Sequence, residues 1–412
     1  MHSLLIRAAL MAATLLAQAA GAAPLSLQAA LDRAVQRSEA ARSARASFLS
    51  ASEAARAAAQ LPDPMLRVGV ENLPVTGGDR FSTTRESMTM KRIGISQEWL
   101  SRDKRDARQA AADAVTNKES VQARIAAADA RLQTALAYVD AFYAGRALEL
   151  TVLMEHHAHE EFEAARARLA SATGGSEEVL KLAASRGMAA DESAELRQQQ
   201  RTAQVALERW VGTTADELEP PGSLATPAPG QSEYVAGDPV VVSLQREIVV
   251  AQGGAAVAAS NRRPNWTWEV AYSQRTGYSD MVSVGVSIPL PVAPSARQDR
   301  ELASRLAGVD KAEADLAEAT RAASGEYLAL SSEARALQDR IERYRSAVLV
   351  PAQQRTAAAT AAYRSNQVSL ATLFEARHAE AEGHRKLLAL ERELARRQAQ
   401  LAYRPIETGA GS

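Results

Sequence analysis

A run of histidines and glutamates between residues 154 and 163, MEHHAHEEFE, is the clearest candidate for metal chemistry in the sequence. If this run is helical, His156, His159, Glu160 and Glu163 stand at positions i, i+3, i+4 and i+7 and share one face. Imidazole and carboxylate groups at that spacing can ligate a divalent metal ion. A solvated helix face of charged residues would have the same sequence, so both interpretations stay open.

Other reactive patterns are weak. Met88 and Met90 alternate in the segment MTM and would suit soft copper ligation, although paired methionines are more often packing residues. We find no ordered nucleophile and base, no phosphate-binding glycine loop and no dinucleotide fingerprint in the sequence. We therefore expect a protein that is not an enzyme and that needs no cofactor.

Composition favours long helices. The 412 residues carry a net charge of −1, only 4% are aromatic, and alanine, glutamate and arginine are abundant. A near-neutral chain gives no reason to expect nucleic acid as a partner. The chain contains no cysteine, which excludes disulfides, thiolate metal sites and a lipid anchor on an N-terminal cysteine.

The N-terminus resembles a secretory signal. A short basic start, the apolar run from Ala8 to Ala17 and the small residues Ala20-Gly21-Ala22 predict a signal peptide over residues 1–22. We expect no other segment to approach the roughly 18 apolar residues of a membrane-spanning helix.

The remainder follows one plan twice. Each copy has a helix, two strand-like runs, a long helix, a short polar break and a last helix, and IGIS at Ile93–Ser96 matches VGVS at Val284–Ser287. We expect one helix over Leu25–Gln60 and a bend at Pro351. The predicted organisation is repeat 1 at 23–211, a linker at 212–239, repeat 2 at 240–402 and a tail at 403–412, with strands at 65–72, 88–99, 266–275 and 281–289.

The long helices carry a heptad seam. Apolar residues at alternating spacings of four and three predict coiled-coil packing. A helix of about 70 residues from Ser101 would span ~105 Å at 1.5 Å per residue. The residues of the seam are Val121, Ile125, Ala128, Leu132, Ala135, Val139 and Phe142, with Leu387, Leu390, Leu394 and Leu401 in the last helix.

The strand-like runs alternate between apolar and polar residues, and each has about the ten residues of a tilted membrane strand. Two soluble hairpins with one buried face are the alternative. Four strands cannot close a barrel in lipid, so copies of the chain must share one, and a lumen lined by Gly and Ser favours a trimer or a larger assembly. The predicted membrane-facing residues are Leu66, Val68, Val70, Ile93, Ile95, Trp266, Trp268, Val282, Val284 and Val286.

This plan resembles the TolC family of bacterial outer-membrane export ducts over nearly the whole mature chain. The segments PDPMLRVGVENLP, MTMKRIGISQEW and DMVSVGVSIPLP resemble the heavy-metal branch of CzcC- and CusC-like proteins. The resemblance implies a mainly α fold in which a homotrimer forms a twelve-stranded barrel and a periplasmic helical tunnel. It also implies a periplasmic adaptor, an inner-membrane resistance–nodulation–division pump and heavy-metal cations as cargo. Many relatives carry a lipidated cysteine that this chain lacks.

The two helix breaks would lie together at the periplasmic end. By resemblance, they would contact the adaptor through Gly174, Gly175, Ser176, Ser365, Asn366, Gln367 and Ser369. Family members also carry acidic residues just beyond the second break, where this chain has Thr372 and Glu375. A ring of Glu375 carboxylates would attract cations, whereas Thr372 departs from the pattern.

Two other classes of function remain open from the sequence. One is a periplasmic coiled-coil scaffold with soluble hairpins. The other is a periplasmic metal-binding protein that uses the face of His156, His159, Glu160 and Glu163.

Overall fold

A computed structural model of the chain describes residues 24–215, 217–222 and 229–406. The predicted signal peptide lies outside these residues, as does the end of the predicted tail. The chain divides into two compact units. The helical unit comprises the described residues of Met1–Ala41, Arg124–Pro239 and Arg321–Ser412, and the strand unit comprises Arg42–Ala123 and Val240–Thr320.

The fold is mainly helical, as the composition predicts. A π-helical turn, Arg345–Leu349, separates two of the later helices, and a short 3-10 turn, Pro294–Ala296, precedes the first of them. The helices of the described residues are α1 (Leu27–Arg37), α2 (Glu39–Ala58), α3 (Arg102–Ala170), α4 (Ser176–Val211), α5 (Gln231–Gly237), α6 (Pro239–Ser260), α7 (Gln298–Tyr344), α8 (Val350–Arg364) and α9 (Leu370–Tyr403).

The predicted single helix over Leu25–Gln60 is wrong, because the chain breaks at Ser38. Ser26 caps α1 as its sequence suggests, since its side chain accepts a hydrogen bond from the Ala29 N–H at 3.3 Å. Ser38 then caps α2 in the same way, with its hydroxyl 3.1 Å from the N–H of Ala41. A second capping serine ends one helix and starts the next.

A π-helical turn interrupts the helix just before Pro351, where the sequence predicts a bend. The N–H of Val350 bonds to the carbonyl of Arg345, five residues back, which is the π pattern. Proline has no N–H for the ordinary helical bond, so a widened turn just before Pro351 relieves the mismatch.

The strand unit contains one antiparallel sheet of four strands in the order β1-β2-β3-β4. Each strand begins and ends within two residues of its predicted bounds. The strands are β1 (Met65–Glu71), β2 (Met90–Trp99), β3 (Trp266–Gln274) and β4 (Met281–Ser287).

Helix α6 differs from the expectation that no further segment is apolar enough to span a membrane. Among the described residues, α6 is the one helix that is long and apolar enough to span a membrane, by length and composition alone. Within the strand unit it packs along α3, where Lys118 lies 2.6 Å from Glu247 and Gln122 donates to Ser243 at 2.9 Å. A Cβ on Gly253 would lie 3.0 Å from the Cα of Ala111, so the two backbones approach closely there.

The core of the helical unit is built from small and medium apolar residues. The predicted seam points inward, with Ala128, Ala135 and Val139 buried in this unit and Val121 buried in the strand unit. Tyr138 is fully buried, and its hydroxyl lies 2.6 Å from the carbonyl of Leu25 and 2.8 Å from that of Glu219. This hydroxyl connects α3 to the residues just before α1 and to the segment after α4.

Candidate functional site

The outer face of the sheet is apolar and open to solvent in the single chain. Strand register places Leu66, Ile95, Val270 and Val284 in one row across all four strands, and these residues are between 42% and 75% exposed. A neighbouring row of Val68, Ile93, Tyr272 and Val282 is equally exposed. A soluble sheet normally buries such a face against a second layer.

The two ends of this outer face differ in residue type, since one is aromatic and the other is polar. Towards the α3 end, Trp99 pairs with Trp266, with ring centroids 5.9 Å apart, and Trp268 pairs with Val286. Towards the β1–β2 loop, Val70 shares its row with Lys91 and Gln274. Val70 therefore lies on the predicted face, but at the polar limit of the apolar band.

The inner face carries small and charged residues. Gly94 faces Ala271 so closely that a Cβ on Gly94 would lie 2.8 Å from the Cβ of Ala271. Ser96 and Ser273 are buried on the same face. Small side chains allow the sheet to curl towards this side.

An ion network also lies on the inner face. Arg92 donates to Glu71 at 2.7 Å and to Glu269 at 2.9 Å, and Arg67 lies 3.5 Å from Glu269. All four residues lie on the polar face that the alternation of the strands predicts. The sequence analysis missed their pairing, because the pairing depends on how the strands align with one another. The alternation of charged residues was the only available signal for that alignment.

A buried polar chain links the sheet to α3. The Lys104 ammonium, only 4% exposed, donates to the Asn265 side chain at 2.6 Å, and that amide donates to Glu98 at 2.7 Å. Burial lowers the pKa of Lys104, Arg108 lowers it further, and Glu98 partly offsets both effects. Sequence reasoning missed this junction, because a Lys next to a helix start normally indicates a solvated residue.

The first helix break is a compact turn between α3 and α4. The N–H of Thr173 bonds to the carbonyl of Arg168 at 2.9 Å, and Ala172 adopts a left-handed φ of 57°. Gly175 is the N-cap of α4, with Gly174 before it and Ser176 as the first helical residue. The left-handed position is thus Ala172, although the glycines are the residues suited to it.

The second helix break, between α8 and α9, contains Ser365, Asn366, Gln367 and Ser369. Asn366 adopts a left-handed φ of 54°, and the N–H of Gln367 returns to the carbonyl of Ala362 at 2.9 Å. This pattern is a helix C-cap of the Schellman type. Ser369 then caps α9 by accepting from the Thr372 N–H at 3.2 Å.

The two breaks lie at the same end of the helical unit. Lys181 follows the first break by five residues beyond Ser176, Glu375 follows the second by six beyond Ser369, and their charged groups are 3.7 Å apart. The Glu375 carboxylate is thus paired with a lysine in the single chain. The Thr372 hydroxyl lies 3.1 Å from the Ser369 hydroxyl, at the helix cap.

The histidine run brings only part of the predicted metal-ligand set together. Glu160 lies 3.4 Å from both His156 and His157, and Glu163 lies 3.3 Å from Arg166. No group of three or more histidine, aspartate or glutamate side chains within the described ranges is arranged to hold a metal ion. Of the four predicted residues, His156 and Glu160 lie together and Glu163 pairs with Arg166. A metal site on this helix face stays a prediction from the sequence.

No protein-family model matches the sequence, and no curated protein matches it significantly. Solved structures do match in fold. The chain is similar to CusC, described as forming a transmembrane channel, with a TM-score of 0.76, 14% identity and coverage of 92% of each chain.

The chain is also similar to two other outer-membrane proteins. VceC from Vibrio cholerae gives a TM-score of 0.74 and 18% identity over 92% of this chain and 94% of that one. The CmeC outer membrane channel of Campylobacter jejuni gives a TM-score of 0.77 and 12% identity over 92% of this chain and 85% of that one. The fold is therefore that of outer-membrane channels, and the predicted fold class, long helices with four strands per chain, is confirmed.

Proposed function

We propose that the protein is a channel of the bacterial outer membrane and serves as the passive exit duct of a tripartite efflux system. The exposed apolar face of the sheet carries this proposal, because rows such as Leu66, Ile95, Val270 and Val284 match a lipid-facing barrel surface. Similarity in fold to outer-membrane channels supports the same function.

The unpaired edge strands of the sheet are the reason to propose an oligomeric barrel. Strands β1 and β4 are the two outer strands of the sheet, and unpaired backbone groups are not tolerated in lipid. We therefore propose a homotrimer with a shared twelve-stranded barrel. The inner faces, with Gly94, Ser96, Ser283 and Gly285, would line its lumen.

The partners and the gate belong to this proposal. The turns that contain Gly174–Ser176 and Ser365–Ser369 would contact a periplasmic adaptor, which connects the duct to a resistance–nodulation–division pump. Glu375, with Thr372 nearby, would form the periplasmic gate. The Lys181–Glu375 ion pair supports a common end for both turns.

The cargo is proposed to be heavy-metal cations. The support is the sequence resemblance of the strand segments to the heavy-metal branch, together with the single carboxylate of Glu375 beyond the second turn. The similarity in fold extends equally to CusC, VceC and CmeC, so it does not favour one cargo. Deletion of the gene should sensitise cells to metal salts if the cargo is correct, and to organic compounds instead if it is wrong.

Detergent extraction of the outer-membrane fraction tests the channel itself. We expect a trimer by native mass spectrometry, and gel migration in SDS that changes only after heating. A soluble monomer in the periplasmic fraction would overturn the proposal.

A further inference from the structure

Four charged side chains on the inner face of the sheet form one connected network, here called the charge belt. It consists of Arg67 and Glu71 on β1, Arg92 on β2 and Glu269 on β3. Arg92 donates from Nη1 to Oε1 of Glu71 at 2.7 Å and from Nη2 to Oε1 of Glu269 at 2.9 Å. Nη1 of Arg67 lies 3.5 Å from Oε2 of Glu269. Glu269 therefore contacts both arginines, one with each carboxylate oxygen.

The contact between Arg67 and Glu269 crosses an intervening strand. Strand β2 lies between β1 and β3, and neighbouring strands are about 4.8 Å apart, so the two residues stand on strands about 10 Å apart. In the register of β1 and β2, Arg67 is opposite Gly94. Because Gly94 carries no side chain, the long Arg67 side chain can cross β2 at this point. The glycine is thus part of what makes the charge belt continuous.

The charge belt has no net charge, because its two arginines and two glutamates balance within each chain. The other two charged residues of the four strands lie elsewhere. Lys91 is on the outer face in the row of Val70, and Glu98 is at the α3 end of the sheet, where Asn265 connects it to Lys104. The charge belt therefore sets the charge of the inner face away from α3.

The two arginines differ in how they are neutralised. The Arg92 side chain is 25% exposed and contacts two carboxylates, whereas the Arg67 side chain is 59% exposed and contacts Glu269. If the Glu269 carboxylate lost its charge, Arg92 would keep Glu71 as a partner. Within the described part of the chain, Arg67 has no second ion pair to replace the one with Glu269. Glu269 is therefore the group that neutralises Arg67.

Three copies of the charge belt would surround one lumen in the proposed trimer. Rings of charged side chains set the ion selectivity of many pores, and low-dielectric walls concentrate the field of such a ring. Three arginines at position 67 without a carboxylate partner would repel cations and attract anions. With Glu269 beside each of them, the ring presents both signs of charge and has no net effect on either class of ion.

We propose that Glu269 is a selectivity-determining residue of the lumen, which lets cations pass the barrel because it neutralises Arg67. Arg92, itself held by Glu71, positions the Glu269 carboxylate between the two arginines. This inference rests on the proposed channel function. It adds a second point of ion selection, in the barrel, to the gate proposed at Glu375.

Reversal potentials in planar lipid bilayers measure the effect. A gradient of dilute potassium chloride keeps the Debye length at about 10 Å, so that charges on the wall act on ions in the lumen. Glu269→Gln should lower the permeability ratio of potassium to chloride by about twofold or more, because it leaves one unmatched positive charge per chain. Arg67→Gln should raise the ratio by a similar factor. The double variant Glu269→Gln/Arg67→Gln should restore the parental ratio.

A matched control comes from the opposite face of the same sheet. Lys91→Gln removes a positive charge next to Arg92 in the sequence, but on the outer face, and should leave the permeability ratio unchanged. At about 1 M salt, where the Debye length falls to about 3 Å, the differences between Glu269→Gln, Arg67→Gln and the parent should shrink. A purely structural role of the charge belt would change the number of channels that insert, but not produce two opposite shifts that cancel in the double variant.

The outcomes separate this inference from the channel function. Equal permeability ratios in the parent and in Arg67→Gln would overturn the selectivity role and leave the channel intact, even if Glu269→Gln fails to assemble. A shift in Lys91→Gln as large as that in Arg67→Gln would also overturn it. A parent protein that forms no channels would instead contradict the proposed function, and the selectivity role would be lost with it.

Discussion

Single residues on the two faces of the sheet have opposite chemistry. Val284 on β4 is 75% exposed on the outer face, whereas the next residue towards the N-terminus, Ser283, lies on the inner face opposite Ala271. In a membrane barrel the first would face lipid and the second the lumen. A charge should therefore be costly at one position and tolerated at its neighbour.

We predict that Val284→Arg prevents assembly in the outer membrane and that Ser283→Arg does not. An arginine facing lipid near the bilayer centre costs about 2–4 kcal/mol per chain, whereas a lumenal one remains hydrated. The amount of heat-modifiable oligomer in outer membranes measures the difference. Equal assembly of both variants would argue against a lipid-facing outer surface.

Lys104 gives a second prediction at this scale. Lys104→Met should lower the free energy of unfolding by about 1–3 kcal/mol, because the half-buried Asn265 side chain loses its charged hydrogen-bond donor. Arg102→Met, at a side chain that is 87% exposed, is the matched control and should change stability by no more than about 0.5 kcal/mol. Chemical unfolding followed by circular dichroism measures both. Similar effects of the two substitutions would mean that the buried chain is not stabilising.

Tyr138 gives a pH-dependent prediction. Burial and the nearby Glu219 raise its pKa from its ordinary value of 10 to about 12, although the hydrogen bond to the Glu219 backbone lowers it. Because the folded form holds the proton more tightly, the contribution of Tyr138 to stability is complete below pH 10 and is lost as pH rises towards 12. Tyr138→Phe should lower the thermal midpoint at neutral pH, and the difference from the parent should shrink above pH 10. A constant difference up to pH 12 would contradict this assignment.

Among the elements, the helix caps explain how the two turns are fixed. Ser369 caps α9 through its side chain, whereas the N-cap of α4 is Gly175, which has no side chain to do so. The start of α9 should therefore depend on one hydroxyl group.

We predict that Ser369→Ala frays the first turn of α9. Loss of a serine cap costs about 1 kcal/mol, which corresponds to roughly fivefold faster exchange of the amides it protects. Ser176→Ala, at the first residue of α4 rather than at its cap, should leave exchange in α4 unchanged. Hydrogen exchange measured by mass spectrometry over residues 370–376 and 176–183 compares the two.

The strands and long helices were predictable because their periodicity is strong. The alternation of apolar and polar residues identified the side chains on the outer face, from Leu66 on β1 to Val286 on β4. The strand bounds differ from the predicted ones by at most two residues. The break at Ser38 was missed because the alanine-rich sequence on both sides continues the helical pattern. A single capping side chain decided the local structure there.

Contacts between distant segments were not predictable. The Arg92–Glu269 pair joins residues 177 positions apart and depends on the register of β2 against β3. On α3, the sequence favoured His156 and His159 as metal ligands, whereas His157 lines a groove of about 860 Å³ between α3, α4 and α9. The apolar residues of that run, Met154, Ala158 and Phe162, stand four apart and were the available signal for the face of α3 that packs against its neighbours.

At the scale of the whole molecule, each compact unit draws on both predicted repeats. The strand unit holds both hairpins, and the helical unit holds both helix breaks. Under the proposed function, the hairpins together provide the membrane segment and the breaks together provide the adaptor-facing end. The duplication itself stays a prediction from the sequence.

Single-channel recording of the purified, detergent-extracted protein in planar lipid bilayers tests the central claim most directly. We predict discrete and long-lived conductance steps, with step size altered by Ser283→Arg on the lumenal face. A protein that inserts no channels and runs as a soluble monomer would contradict the account. The exposed apolar face of the sheet would then require a protein partner instead of lipid.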